Sequence, residues 1–140
     1  MCLIIIIITY PFFKDFDFIY SVGDSMLPSF ENGELVIIHK ANSLGEQWYP
    51  SRGQVVIAVD YEDDYITKRV IGLEGEYIEI KNETIFINNK KYKEYLNNSG
   101  LTDEYIGYVP KNHVWVIGDN RSETWSGFIH IDDIKGLVLF

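Results

Sequence analysis

The chain has a single cysteine, Cys2, among 140 residues. That excludes an internal disulfide, and no CxxC pair is present to hold zinc. Its three histidines, His39, His113 and His130, are far apart, and none has a Cys, His or carboxylate at metal-ligand spacing beyond Asp132, two residues after His130. No metal site and no cofactor are expected. Basic residues are also few: 12 Lys and Arg against 21 Asp and Glu, a formal charge of −9. A chain this acidic is a poor ligand for nucleic acid, whose phosphates demand Lys and Arg. No convincing amphipathic helix of ordinary length, internal repeat or low-complexity linker is present, and Lys93 to Thr102 reads as a helical turn or a loop.

What remains favours strands. Hydrophobic residues make up 46% and aromatics 15%, with many Ile and Val, a mix suited to a pleated, half-buried surface. Strands are expected over Phe16–Val22, Glu34–His39, Gln54–Asp60, Tyr65–Leu73, Tyr77–Lys81, Thr84–Asn88, Val114–Ile117 and Ile134–Phe140. Asn82-Glu83 reads as a hairpin turn and Asn88-Asn89-Lys90-Lys91 as another turn. Many short strands with Gly and Asn turns imply an all-β fold, mainly antiparallel sheet or barrel.

Met1 to Phe13, MCLIIIIITYPFF, carries no charge. As a helix it would span roughly 20 Å, short of the ~30 Å hydrocarbon core. Three readings fit: the end of a membrane anchor that starts earlier, a monotopic apolar anchor, or a buried first strand. It lacks the basic start and small-residue cleavage site of a signal peptide. The division expected is an apolar segment over 1–13 and one catalytic domain over 14–140.

Three stretches carry chemistry. In Gly23-Asp24-Ser25-Met26-Leu27-Pro28-Ser29, Gly23 permits a tight turn and Pro28 fixes the chain beyond it, so Ser25 is offered on a rigid loop. In Ile66-Thr67-Lys68-Arg69-Val70-Ile71, Lys68 lies in an apolar β setting. Burial there would disfavour its charge and lower its pKa toward the range a general base needs. Serine with lysine is one form of the activated nucleophile. Strand alternation sends the neighbouring cation, Arg69, to the opposite face. In Gly118-Asp119-Asn120-Arg121, a carboxylate, an amide and a guanidinium share one turn, and Asp119 can pair with Arg69. Each stretch alone is common in structural turns and strands.

Together and in order, GDSMLPSF (23–30), RGQVVIAV (52–59), TKRVIGLEGE (67–76) and VWVIGDNRS (114–122) resemble the type I signal peptidases, membrane-bound Ser/Lys proteases that remove signal peptides. The likeness runs from Phe16 to Phe140, and Ser25 and Lys68 are 43 positions apart, a spacing that suits the family. NKKYKEYL (89–96) resembles its connecting hairpin. The short stretch between Lys81 and Pro110 is similar to compact Gram-positive members. Lysine at 68 argues against the endoplasmic-reticulum branch, where histidine holds this position.

The resemblance implies Ser25 as nucleophile and first oxyanion donor, and Lys68 as base. Gly23 stands where some members place a second, hydroxyl donor. Asp119, Arg69 and Arg121 would support the site, and Thr124 would hydrogen-bond the lysine. Ile19, Met26, Phe30 and Ile66 are candidates to line pockets for small residues at substrate positions −1 and −3. The implied partners are preprotein signal peptides and a membrane surface, with the catalytic domain on the extracytoplasmic side. After Arg121 the family continues Ser-x-Asp-Ser-Arg, whereas here Ser126 replaces the acid and Phe128 the arginine. Two other readings remain: a LexA-like Ser/Lys protease that processes itself, for which a DNA-binding N-terminal domain is lacking, and a peptide-binding β domain that has lost catalysis.

Overall fold

Alternating β-branched runs separated by turn residues dictate a sheet protein, and the computed structural model, described for residues 13–93, 96 and 99–139, contains eleven strands among these residues. They are β1 (Phe16–Tyr20), β2 (Leu35–Lys40), β3 (Val55–Val59), β4 (Tyr65–Gly72), β5 (Tyr77–Lys81), β6 (Thr84–Ile87), β7 (Lys90–Lys91), β8 (Glu104–Tyr108), β9 (His113–Ile117), β10 (Ser126–His130) and β11 (Ile134–Leu139). Two single-turn 3₁₀ helices, Ala41–Ser43 and Ile131–Asp133, join β2 to the next loop and β10 to β11. The expected all-β class is what the fold shows. Residues 1–12 lie outside the described residues, and so does most of the expected apolar segment 1–13. No helix among the described residues is long and apolar enough to cross a membrane.

A seven-stranded antiparallel sheet, in the order β1-β2-β11-β3-β4-β9-β10, carries the site. A four-stranded antiparallel sheet, β7-β6-β5-β8, packs beside it. The expected hairpin at Asn82-Glu83 forms, with φ of 48° and 55°, the doubly positive pair of a two-residue hairpin turn. Asn88 and Asn89 repeat that geometry, so the second expected turn ends one residue earlier than Lys90, and Lys90–Lys91 form β7 instead. Strands β8 and β10 were not expected. Each holds a glycine, Gly107 and Gly127, and has no apolar run beside it such as the one that marks β11 after Gly136. No helical turn forms over the described part of 93–102.

Three apolar clusters hold the sheets. One joins the small sheet, through Ile78, Ile80 and Ile85, to Ile71, Trp115 and Ile117 of the large one. A second gathers Val56, Val70, Val114 and Ile129 over the centre of the large sheet. The third packs Met26 and Phe30 against Val36, Ile38, Val55, Ile57 and Val138. It seats the loop after β1 on β2, β3 and β11.

Candidate active site

The loop that carries Ser25 is fixed from both sides. Gly23 adopts φ +86°, a conformation side-chain-bearing residues rarely take, and its N–H donates to Asn32 Oδ1 at 3.0 Å. A turn follows in which Leu27 N–H donates to the Asp24 carbonyl (3.1 Å) and Phe30 N–H to the Met26 carbonyl (3.1 Å); the Leu27–Pro28 peptide is cis. From the other side the segment after β9 reaches over. Asn120 donates its backbone N–H to the Ser25 carbonyl at 3.0 Å and its amide to the Asp24 carbonyl at 3.1 Å. The contact is close enough that Gly118 has no room for a side chain. A Cβ there would lie 2.3 Å from the Ser25 carbonyl oxygen and 2.1 Å from Thr124 Oγ1.

Lys68 sits in β4 opposite Val56 of β3 and is only 6% exposed. Its Nζ lies 2.8 Å from Ser25 Oγ. Burial pushes its pKa below the ordinary lysine value, and the carboxylates of Asp119 and Asp60 only partly oppose that shift. A lysine that loses its proton more readily, next to a hydroxyl, is the arrangement that activates an oxygen nucleophile.

Arg69 faces the other way. Its Nε and Nη2 grip the two carboxylate oxygens of Asp119 at 2.7 and 2.5 Å, and its Nη1 donates to the Gly53 carbonyl at 2.6 Å. Asp119 is 2% exposed and also accepts the Ser29 hydroxyl at 2.6 Å. Arg121 is buried as well, and its Nε donates to the Gly118 carbonyl at 2.9 Å. These residues brace the loops around Ser25.

Two expectations need correction. Thr124 was expected to hydrogen-bond Lys68. Instead its hydroxyl accepts the Gly118 N–H at 3.0 Å and donates to the Trp125 carbonyl at 3.0 Å. Both bonds of that hydroxyl are made to backbone groups within six residues of it, which takes up its donor. Met26 and Phe30 were expected to line substrate pockets, but they are 2% and 3% exposed and belong to the core. The turn that bonds residue 30 to residue 26 puts both side chains on its inner side. Ile19 and Ile66 do line an open groove of ≈ 960 Å³, and Ser25 and Lys68 lie along it. Ser126 and Phe128 both fall in β10, paired with Ile117 and Trp115 of β9.

Ser29, Gly118 and Asn120 were missed as site residues. All three lie inside the motifs quoted, but each meets the far end of the chain: Ser29 bonds Asp119, Asn120 bonds the Asp24 carbonyl, and Gly118 packs on the Ser25 carbonyl. Only the folded chain brings these ends together.

The model of the family described as signal peptidase, peptidase S26, matches residues 1–140. This chain belongs to that family. Signal peptidase I of Bacillus caldolyticus is 34% identical over 139 residues, covering 84% of this chain and 74% of that protein. Signal peptidase I S of Bacillus subtilis (strain 168) is 36% identical over 131 residues, covering 84% of this chain and 66% of its own length. The crystal structure of a signal peptidase I from Enterococcus faecalis V583 aligns with a TM-score of 0.57 at 23% identity, over 64% of this chain and 97% of that one. At that identity the likeness is one of fold. Membership makes the chain a peptidase of the signal peptidase type; neither the self-processing nor the binding-only reading is favoured.

Proposed function

We propose that the chain is a serine endopeptidase that removes signal peptides from secreted preproteins, with Ser25 as nucleophile and Lys68 as general base. The observation that carries this is the 2.8 Å contact between Ser25 Oγ and a buried Lys68 Nζ of lowered pKa. Neutral Lys68 takes the Ser25 proton as Oγ attacks the scissile carbonyl carbon. The Ser25 backbone N–H stabilises the oxyanion, a kind of donor worth about 3–4 kcal/mol of barrier. The Lys68 ammonium then protonates the departing amine, leaving an acyl-enzyme. Lys68 next deprotonates a water, which attacks the ester, releases the signal-peptide carboxylate and restores Ser25. Arg69, Asp119, Arg121 and Gly23 serve by holding the loops in place. Thr124 acts through Gly118.

The substrate is an extended peptide seated as an added strand. Two strand edges without a partner among the described residues support this. Among those residues β1 pairs with β2 alone, and β4 pairs with β9 from Arg69 onward, so Tyr65–Lys68 bond only to β3. Ile19 on β1 and Ile66 on β4 then meet the −1 and −3 side chains. A membrane-facing role is supported by the outer face of the β1–β2 hairpin. There Phe18 pairs with Ile37 and Tyr20 with Leu35, all four exposed, an apolar patch suited to a lipid surface. Preproteins emerge on the extracytoplasmic side, where this reading places the domain.

The test is cleavage of a preprotein peptide with alanine at −1 and −3, in detergent. Wild type is expected to cut after −1, and Ser25→Ala and Lys68→Ala to lose about 10³-fold or more in kcat/KM. A wild-type chain that binds the peptide and never cuts it would overturn catalysis in favour of a binding domain.

A further inference from the structure

The groove runs past the residues that meet −1 and −3. Along β1, side chains on one face are two residues apart, so Ile19 is followed on the groove side by Asp17. Along β2 the same step leads from Ile38 to Lys40. Both of these charged residues line the groove, and they pair with each other, Lys40 Nζ to Asp17 Oδ1 at 3.2 Å. One β-period beyond the isoleucines, the groove floor therefore changes from apolar to charged. The step matches the substrate. In an extended peptide, side chains two residues apart point the same way about 7 Å apart, the same interval that separates Ile19 from Asp17 on a strand. A peptide whose −3 side chain rests on Ile19 brings its −5 side chain over the Asp17–Lys40 pair.

We infer that this pair forms a further subsite, which selects a polar side chain at −5 of the substrate. The inference rests on the proposed peptide seat. A side chain with both a donor and an acceptor, such as glutamine or asparagine, satisfies the carboxylate and the ammonium together. A leucine there desolvates the two charges and returns nothing. Because the pair is balanced, neither charge sign is favoured at −5 while both partners are present.

The experiment measures kcat/KM of the full chain in detergent on four peptides, identical except for Gln, Leu, Glu or Lys at −5, with alanine at −1 and −3. Wild type is expected to cut the Gln peptide about fivefold faster than the Leu peptide, and to cut the Glu and Lys peptides equally well. Asp17→Ala leaves Lys40 alone and should turn the preference toward Glu. Lys40→Ala leaves Asp17 alone and should turn it toward Lys. Each variant is read as a ratio between peptides, so a general loss of activity does not mimic the effect, and either variant by itself reports the reversal. If wild type cuts all four peptides at one rate and neither variant develops a charge preference, the subsite is overturned and the dyad stands. If wild type cuts none of them, the proposed peptidase reading falls and the subsite with it.

Discussion

On one face of β4 the amine of Lys68 is buried against apolar strands and meets a neutral hydroxyl; on the other, one residue later, the guanidinium of Arg69 is gripped by a buried carboxylate, a serine-braced loop and a backbone carbonyl. The two neighbouring cations have opposite uses. Arg69 keeps its charge in every state, so its burial has to be matched by partners, and Asp119 supplies two oxygens in the fork geometry a guanidinium accepts. Among the described residues no carboxylate forms an ion pair with Lys68, so burial acts on its proton instead. One face uses charge to hold loops together, and the other weakens charge to make a base.

The sharpest way to break this comparison is to give the Lys68 face the Arg69 chemistry. Lys68→Arg keeps a cation and much of the side-chain volume but cannot lose a proton at any useful pH. A loss of about 10³-fold in kcat/KM is expected, close to that of Lys68→Ala. Retention of more than a tenth of wild-type activity would show that position 68 needs only a positive charge, and the base assignment would fail.

Much of this division can be read from the sequence, since alternation alone puts residues 68 and 69 on opposite faces, and Asp119 follows a strand apolar enough to be central. Tyr77–Lys81, with unbroken alternation, was placed to the residue, and the other expected strands to within one or two residues at each end. Glu104–Tyr108 and Ser126–His130 were not found: each has a glycine that contributes no side chain and no apolar run beside it, whereas Leu137, Val138 and Leu139 mark the last strand despite Gly136. Inside the site the failures have a different cause. The Thr124 hydroxyl is taken up by the Gly118 N–H and the Trp125 carbonyl, backbone partners that the residue pattern does not announce. Met26 and Phe30 were misplaced because a turn bonded from residue 30 to residue 26 has neither strand nor helix period to read.

The next effect is on stability. Asp119→Ala leaves the Arg69 guanidinium buried with only part of its partners and frees the Ser29 hydroxyl. Breaking a buried pair from one side costs about 3–5 kcal/mol, to be measured by denaturant unfolding. The same substitution should also be felt on the other face. The Asp119 charge raises the Lys68 pKa, so its removal lowers that pKa further. The acid limb of the kcat/KM profile, where Lys68 must lose its proton, should then move to lower pH. A stability loss with an unmoved acid limb would mean that the two faces are electrostatically independent.

The smallest effect isolates the cost of burying the Lys68 charge. Folding lowers this pKa below the ordinary 10.5, so between the folded value and 10.5 the unfolded chain binds more protons than the folded one. Stability of the wild type therefore rises with pH across that window, and below it the full cost of the buried ammonium is present. Lys68→Met keeps the length and apolar stem without the charge. It is expected to be more stable than wild type at neutral pH, and the gap should narrow as pH rises toward 10.5. Every other titrating group, including Tyr77, pushed up to about 12 chiefly by its hydrogen bond with Tyr105, is common to both chains and cancels in the difference. Paired urea unfolding of the two proteins across about pH 6 to 10 measures it. A gap that stays constant would mean that Lys68 titrates as it does in water, and the contrast with Arg69 would then lie in its partners alone and not in its proton.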